Sequence, residues 1–147
     1  MLRNFILLLT GVLLANTLLV KDTPTTSFTE KDVLCLAKNI YHEARGESYK
    51  GQLAVAIVTL NRVNSKKYSN NICDVVYERK QFSWTLLKKR SITDMKAWNT
   101  ANSVAIDAIS KYNELKQFKA THYHHVSINP RWKLTKIAKI GNHIFYA

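Results

Sequence analysis

The stretch Asn39-Ile40-Tyr41-His42-Glu43-Ala44-Arg45-Gly46-Glu47 decides how the rest of this chain is read. Residues 42–47 hold two carboxylates, a histidine and an arginine, in a protein with only 10 Asp and Glu against 22 Lys and Arg. Scarce acid beside an apolar helix face has two uses: tying down a helix end, or acid chemistry. Upstream, Val33, Leu36, Ala37, Ile40 and Ala44 recur at helical spacing and define one buried face. Thr29, with Asp32 three positions on, has the form of an N-terminal cap that also places negative charge in the first turn. The helix is expected to stop at Gly46. At about 100° per residue, Glu43 falls beside the apolar stripe, whereas Lys38, His42 and Arg45 point away from it. Half-burial penalises the charged form of a carboxylate and raises its pKa, which lets a glutamate keep a proton to donate near neutral pH. Glu47 lies beyond the glycine, where helical phase no longer sets its direction. Taken alone, the string is better explained by a structural ion pair, since such pairs outnumber catalytic acids.

Working outward, residues 52–63 are nearly all apolar but too few to span a membrane, and they predict a core helix against which the Glu43 helix packs. Asn61 and Arg62 end that run. Residues 63–71 read as a polar, lysine-bearing loop, and Ile72-Cys73-Asp74-Val75-Val76-Tyr77 as a short strand or a turn of helix. Gln81-Phe82-Ser83-Trp84 shows no periodicity. Sugar rings stack their CH faces on indoles and bond amides through hydroxyls, so Gln81, Phe82 and Trp84 in a groove suit a glycan; core packing of the two aromatics is the alternative. Residues 93–112 form an amphipathic helix with Ala97, Trp98, Ala101, Val104, Ala105, Ala108, Ile109 and Tyr112 on one side, a scaffold element.

The last third changes character. Residues 120–126 predict a strand, 129–132 a turn, and 137–146 a hairpin turning at Gly141-Asn142. His122, His124 and His125 raise a zinc reading, but no further Cys, Asp or His completes a ligand motif, and no metal or other cofactor is assigned. His122, Tyr123 and His124 are read instead as groove-lining residues, with ordinary strand positions as the alternative.

With 147 residues, 46% of them hydrophobic, the chain can bury the core of one domain. Its formal charge of +12 attracts polyanions, a requirement met by nucleic acid, an anionic bacterial surface or a membrane. Residues 1–21 carry Arg3 and then an uncharged run from Phe5 to Val20, the pattern of an export signal. Ala15 is preceded two positions earlier by Leu13, so no good cleavage site is offered, and both a cleaved signal peptide and an uncleaved anchor fit. Residues 22–28 form a linker, and the folded domain is expected over 29–147. In an exported domain, Cys35 and Cys73, the only two cysteines, suggest one structural disulfide; two buried thiols are the alternative.

Together these blocks resemble the cell wall hydrolases of the spore-cortex-lytic type (SleB/CwlJ-like). The resemblance rests on residues 35–47, then Gly51-Gln52-Leu53-Ala54-Val55-Ala56 into Thr59-Leu60-Asn61-Arg62-Val63, and Val75-Val76-Tyr77 with Gln81-Phe82-Ser83-Trp84. It continues through Thr121-His122-Tyr123-His124 and residues 140–146, so it runs from about Val33 to the C-terminus. It implies a lysozyme-like α+β domain, mainly helical with a small C-terminal antiparallel sheet or hairpin, acting on peptidoglycan. Glu43 is then the catalytic acid, with Glu47, Gln81, Phe82, Trp84, His122, Tyr123 and His124 as substrate-binding candidates. Spore-type members often carry a separate wall-binding domain, whose absence from this sequence favours a stand-alone envelope or phage-type lysin. The positive charge would hold such an enzyme to the anionic envelope. The expected protein is an exported monomer of the periplasm or wall, with glycan strands and not nucleic acid as partner. Cleavage of the MurNAc–GlcNAc β-1,4 bond by a lytic transglycosylase needs one carboxylate, whereas a muramidase-type hydrolase needs a second. A zinc amidase or peptidase and a non-catalytic envelope binder are the readings from other classes.

Overall fold

Thr29 and Asp32 start the first helix by satisfying each other's groups. In the computed structural model, which describes residues 28–147 apart from Lys89, Asp32 N donates to Thr29 Oγ1 at 3.2 Å and Thr29 N donates to Asp32 Oδ2 at 3.0 Å. This reciprocal cap supplies partners for amides that the helix leaves orphaned. The expected export signal, residues 1–21, and residues 22–27 of the expected linker lie outside the described residues. Among the described residues no helix is long and apolar enough to cross a membrane.

Helix α1 (Glu30–Ala44) ends with Arg45 as its C-cap. Its buried face includes Leu36, Ala37 and Ile40, all without solvent exposure. Helix α2 (Tyr49–Val63) begins earlier than the apolar run because Ser48 caps it, accepting from Gly51 N at 3.3 Å. Val55, Ala56, Val58 and Leu60 are fully buried, as a core helix requires. Residues 72–77, which left strand and helix open, form helix α3 (Ile72–Tyr77). Asn71 decides it, its side chain accepting from Asp74 N at 3.1 Å, a cap that a strand could not use. Cys35 and Cys73 form a disulfide joining α1 to α3.

Residues Ser83–Leu86 make a single 3-10 turn. Helix α4 (Met95–Ser110), capped by Asp94, packs across α1 and α2. Its contact stripe is Ala101, Val104, Ala105 and Ala108, all fully buried, and small side chains let the helices approach closely. The amphipathic pattern to Tyr112 is interrupted at Lys111, and helix α5 (Tyr112–Leu115) is a separate turn. Tyr41 ties α1 to the start of α4, its hydroxyl oxygen accepting from Thr93 N at 3.2 Å and Asp94 N at 3.1 Å.

Strands β1 (His122–His125), β2 (Lys136–Ile140) and β3 (His143–Tyr146) form an antiparallel sheet in the order β1-β3-β2. The β2–β3 hairpin turns at Gly141, whose φ of +56° suits glycine. Phe145, fully buried, packs with Ala44, Val55, Val58 and Ala120 into a second, smaller core between sheet and helices. The domain is thus α+β, mostly helical with a small antiparallel sheet, as expected.

Glu47 fastens the hairpin to the α1–α2 junction. Its carboxylate accepts from Asn142 N at 3.2 Å, and its Oε1 lies 3.9 Å from His143 Nδ1. Gly51 and Gly141 make room for it: a Cβ on Gly51 would come within 2.9 Å of Glu47 Cβ, and one on Gly141 would collide with the carboxylate.

The disulfide bridges positions 38 apart. Replacing both cysteines with serine should therefore cost about 3–4 kcal/mol by loosening the unfolded chain. Urea unfolding of the two proteins measures it; equal midpoints would leave the bridge without a stabilising role.

Candidate active site

Glu43 sits in the last turn of α1, where the helix meets the sheet. Tyr123 Oη on β1 donates to Glu43 Oε2 at 2.9 Å. Tyr123 is held by its neighbours on β3, its ring edge-on to His143 at 5.2 Å and tilted against Phe145 at 5.6 Å. Cross-strand pairing of Tyr123 with Phe145 sets this register.

These groups open into a groove of about 570 Å³. Lys80, Gln81, Phe82, Ser83 and Leu86 line it from the segment before and within the 3-10 turn, and His124, His125, Ile128, Pro130 and Trp132 from β1 and the loop after it. His42, Arg62 and His143 complete the lining. Glu43 is the only carboxylate among the lining residues.

Burial pushes the Glu43 carboxyl above its ordinary range, while the Tyr123 hydrogen bond and the Arg62 charge pull the other way. Burial, with the Glu43 charge and hydrogen bond added, raises the Tyr123 hydroxyl well above its ordinary value, so it stays a neutral donor. His42 is held below the usual histidine value by burial and by Arg45, Arg90 and Lys38. Burial also lowers His143, with Glu47 opposing.

Each histidine of β1 has at least one ring nitrogen bonded within the protein. His124 Nδ1 lies 2.8 Å from the His125 carbonyl oxygen, which can only accept, so Nδ1 carries the hydrogen. A neutral ring then leaves Nε2 to accept from Tyr146 Oη at 2.9 Å. His122 Nδ1 contacts Thr121 Oγ1 at 3.0 Å. Among the described residues no three His, Cys, Asp or Glu side chains come together as metal ligands.

Of the residues the sequence singled out, Glu43, Gln81, Phe82, Tyr123 and His124 meet in the groove. Trp84 and His122 do not line it, and neither does Glu47, which holds the hairpin. Trp84 is 4% exposed. Its Nε1 donates to Asn39 Oδ1 at 2.9 Å, and its ring stacks on His42 at 4.4 Å, so core packing describes it. His122 packs edge-on to Trp132 at 5.6 Å. Arg62 and Trp132 are groove residues that sequence reasoning missed. Arg62 is a buried cation at the end of the apolar run of α2, a signal that could have been read; its guanidinium lies over the Phe82 ring at 5.1 Å. For Trp132, in an irregular segment where the sequence predicted a turn, no local signal exists.

The profile of the Cell Wall Hydrolase family matches residues 46–146, beginning just beyond Glu43. The chain is 36% identical over 121 residues to the spore cortex-lytic enzyme of Bacillus subtilis (strain 168), covering 80% of this chain and 38% of that protein. It is 33% identical over 129 residues to the spore cortex-lytic enzyme of Bacillus cereus, covering 80% of this chain and 45% of the relative. The chain thus spans less than half the length of these curated relatives. Among solved structures it is similar to the catalytic domain of the Bacillus cereus SleB protein, with a TM-score of 0.70 and 31% identity, covering 83% of this chain and 94% of that one. It is likewise similar to the catalytic domain of the germination-specific lytic transglycosylase SleB from Bacillus anthracis, with a TM-score of 0.68 and 30% identity, covering 83% and 98%. A profile match over most of the domain, on a fold shared with nearly the whole of two relatives' catalytic domains, makes this chain a member of the cell wall hydrolase family.

Proposed function

We propose that the chain cleaves peptidoglycan glycan strands at the MurNAc–GlcNAc β-1,4 bond as a lytic transglycosylase, with Glu43 as general acid and then general base. The observation that supports this most directly is the single carboxylate in the groove: Glu43 lines it, whereas Glu47 does not and is engaged by the hairpin amide of Asn142. A two-carboxylate hydrolase needs a partner roughly 5–9.5 Å away across the scissile bond. A transglycosylase needs none, because its nucleophile belongs to the substrate.

In this mechanism protonated Glu43 gives its proton to the glycosidic oxygen as the bond to C1 of MurNAc breaks. The carboxylate so formed takes the proton of the 6-hydroxyl on the same MurNAc. That oxygen bonds to C1, leaving a 1,6-anhydro end and returning Glu43 to its starting form. Tyr123 occupies Oε2 as donor, which leaves Oε1 free to carry the proton. When Glu43 is ionised, the same hydroxyl and the Arg62 charge stabilise it. The site of action that goes with this chemistry is the cell wall, where the +12 charge favours an anionic surface.

Glu43→Gln should reduce release of fragments from purified wall by about 10²–10⁴-fold, the contribution typical of a positioned acid–base. Mass spectrometry of the parent's digest should find anhydro-MurNAc ends; ordinary reducing ends alone would make the enzyme a hydrolase. Zymograms with and without EDTA separate both from a zinc amidase, whose activity a chelator would remove.

The same substitution has a stability signature. Native Glu43 holds its proton above the unfolded value of 4.5, so folding weakens as pH rises from there through the raised native pKa. The glutamine variant buries no charge, so its melting temperature should gain on the parent's as pH rises above about 4.5. A difference in melting temperature that does not change with pH would contradict the raised pKa.

A further inference from the structure

We infer that Lys80 and Arg62 form a subsite for a carboxylate carried by the glycan strand, so that the groove selects acid-bearing muramoyl units over neutral glycan. This rests on the glycan-strand reading above. Two independent observations carry it.

Lys80 lines the groove and has a φ of +70°, making it the one non-glycine residue with positive φ among the described residues. L side chains rarely adopt that backbone, which glycine takes freely. Among the described residues the Lys80 ammonium enters no salt bridge. A strained backbone kept beneath a side chain that pairs with nothing in the fold points to work for that side chain in the groove.

Arg62 lines the same groove and is 6% exposed. Its Nε donates to the Thr121 carbonyl oxygen at 2.8 Å, but its Nη1 is buried with no partner. A guanidinium is shaped to hold a carboxylate in a two-pronged bond, and leaving one buried and half-used is costly. Glu43, the only carboxylate lining the groove, accepts from the Tyr123 hydroxyl and not from either cation. Two cations therefore share a concave site in which neither closes a salt bridge with Glu43, the one carboxylate lining it.

The sugar backbone of peptidoglycan is neutral. Its muramoyl units carry carboxylates from two sources: the lactyl group where the stem peptide has been removed, and the acidic residues of the stem peptide where it remains. Both lie near the bond that Glu43 addresses, and both have the chemistry the two cations recognise.

Lys80→Gly tests the inference because glycine relieves the backbone while deleting the cation. Its melting temperature should rise by a few degrees. Steady-state cleavage is then measured on isolated glycan strands in three forms: with stem peptides, stripped of them by an amidase, and with all carboxylates amidated by carbodiimide and ammonia. For the parent protein, amidation should raise KM by about tenfold, and in Lys80→Gly that ratio should shrink toward one. Lys96→Gln removes the same charge from an exposed α4 position outside the groove and should keep the parent's ratio. A KM raised by stripping assigns the stem-peptide carboxylate, and one unchanged or lowered assigns the lactyl carboxylate, both in support. The inference is overturned if amidation leaves the parent's KM unchanged, or if Lys96→Gln shrinks the ratio as much as Lys80→Gly does. Failure of the underlying reading looks different, since no form of the strand would then be cleaved.

Discussion

The hydrogen bond from Tyr123 to Glu43 joins residues 80 positions apart at 2.9 Å, and most of the domain serves to keep those two groups together. Glu43 is placed by α1, whose buried face faces α2 and α4. Tyr123 is placed by β1, which pairs only with β3. The position of β3 depends in turn on Phe145 in the smaller core and on the hairpin turn that Glu47 grips. The two carboxylates of residues 39–47 are thus unequal. One lines the groove, while the other bonds the hairpin turn, holding the strand against which the tyrosine is set.

Burying polar groups without leaving them unpaired imposes a second constraint on the helices around the groove. Asn39 has no solvent exposure, yet both ends of its amide are used: Nδ2 donates to Thr59 Oγ1 at 3.2 Å, and Oδ1 accepts from Trp84 Nε1. A satisfied buried amide links α1, α2 and the 3-10 turn and costs little, whereas one missing partner would cost about 1–3 kcal/mol. The arrangement also explains Trp84. With its N–H claimed by Asn39 and its face against His42, the indole supports the groove wall from behind.

What was legible in the sequence follows the range of the physics. The cap at Thr29 and Asp32, the apolar phase of α1 and the glycine turn at Gly141 depend on neighbours a few residues away, and these elements lie where the pattern puts them. Residues 72–77 were ambiguous because a six-residue apolar run fits either period, and the choice fell to a single capping side chain, Asn71. The 3-10 turn was invisible because four residues cannot show a period. Trp84 and Trp132 were harder still. A tryptophan suits a core and a groove alike, and which one it enters is set by partners distant in sequence: Asn39 for the first, and His122, His124 and Tyr146 for the second. Glu43 itself could be located by helical phase, but its tyrosine partner lay beyond any local rule.

The balance of influences on Glu43 explains why this site uses tyrosine and a nearby arginine where a direct ion pair would be simpler. A carboxylate in a close salt bridge is held ionised and has no proton to give; one buried with only apolar neighbours holds its proton too firmly to serve as a base. A reaction in which one residue first gives a proton and then takes one needs a group between these extremes. Burial raises Glu43, while the neutral Tyr123 donor and the charge of Arg62 restrain the rise. Arg62 is kept from closing into an ion pair by its own anchors, the Thr121 carbonyl on one side and the rings of Tyr68 and Phe82 on the others. Fixing that guanidinium near the carboxyl, but bonded elsewhere, tunes the acid without neutralising it.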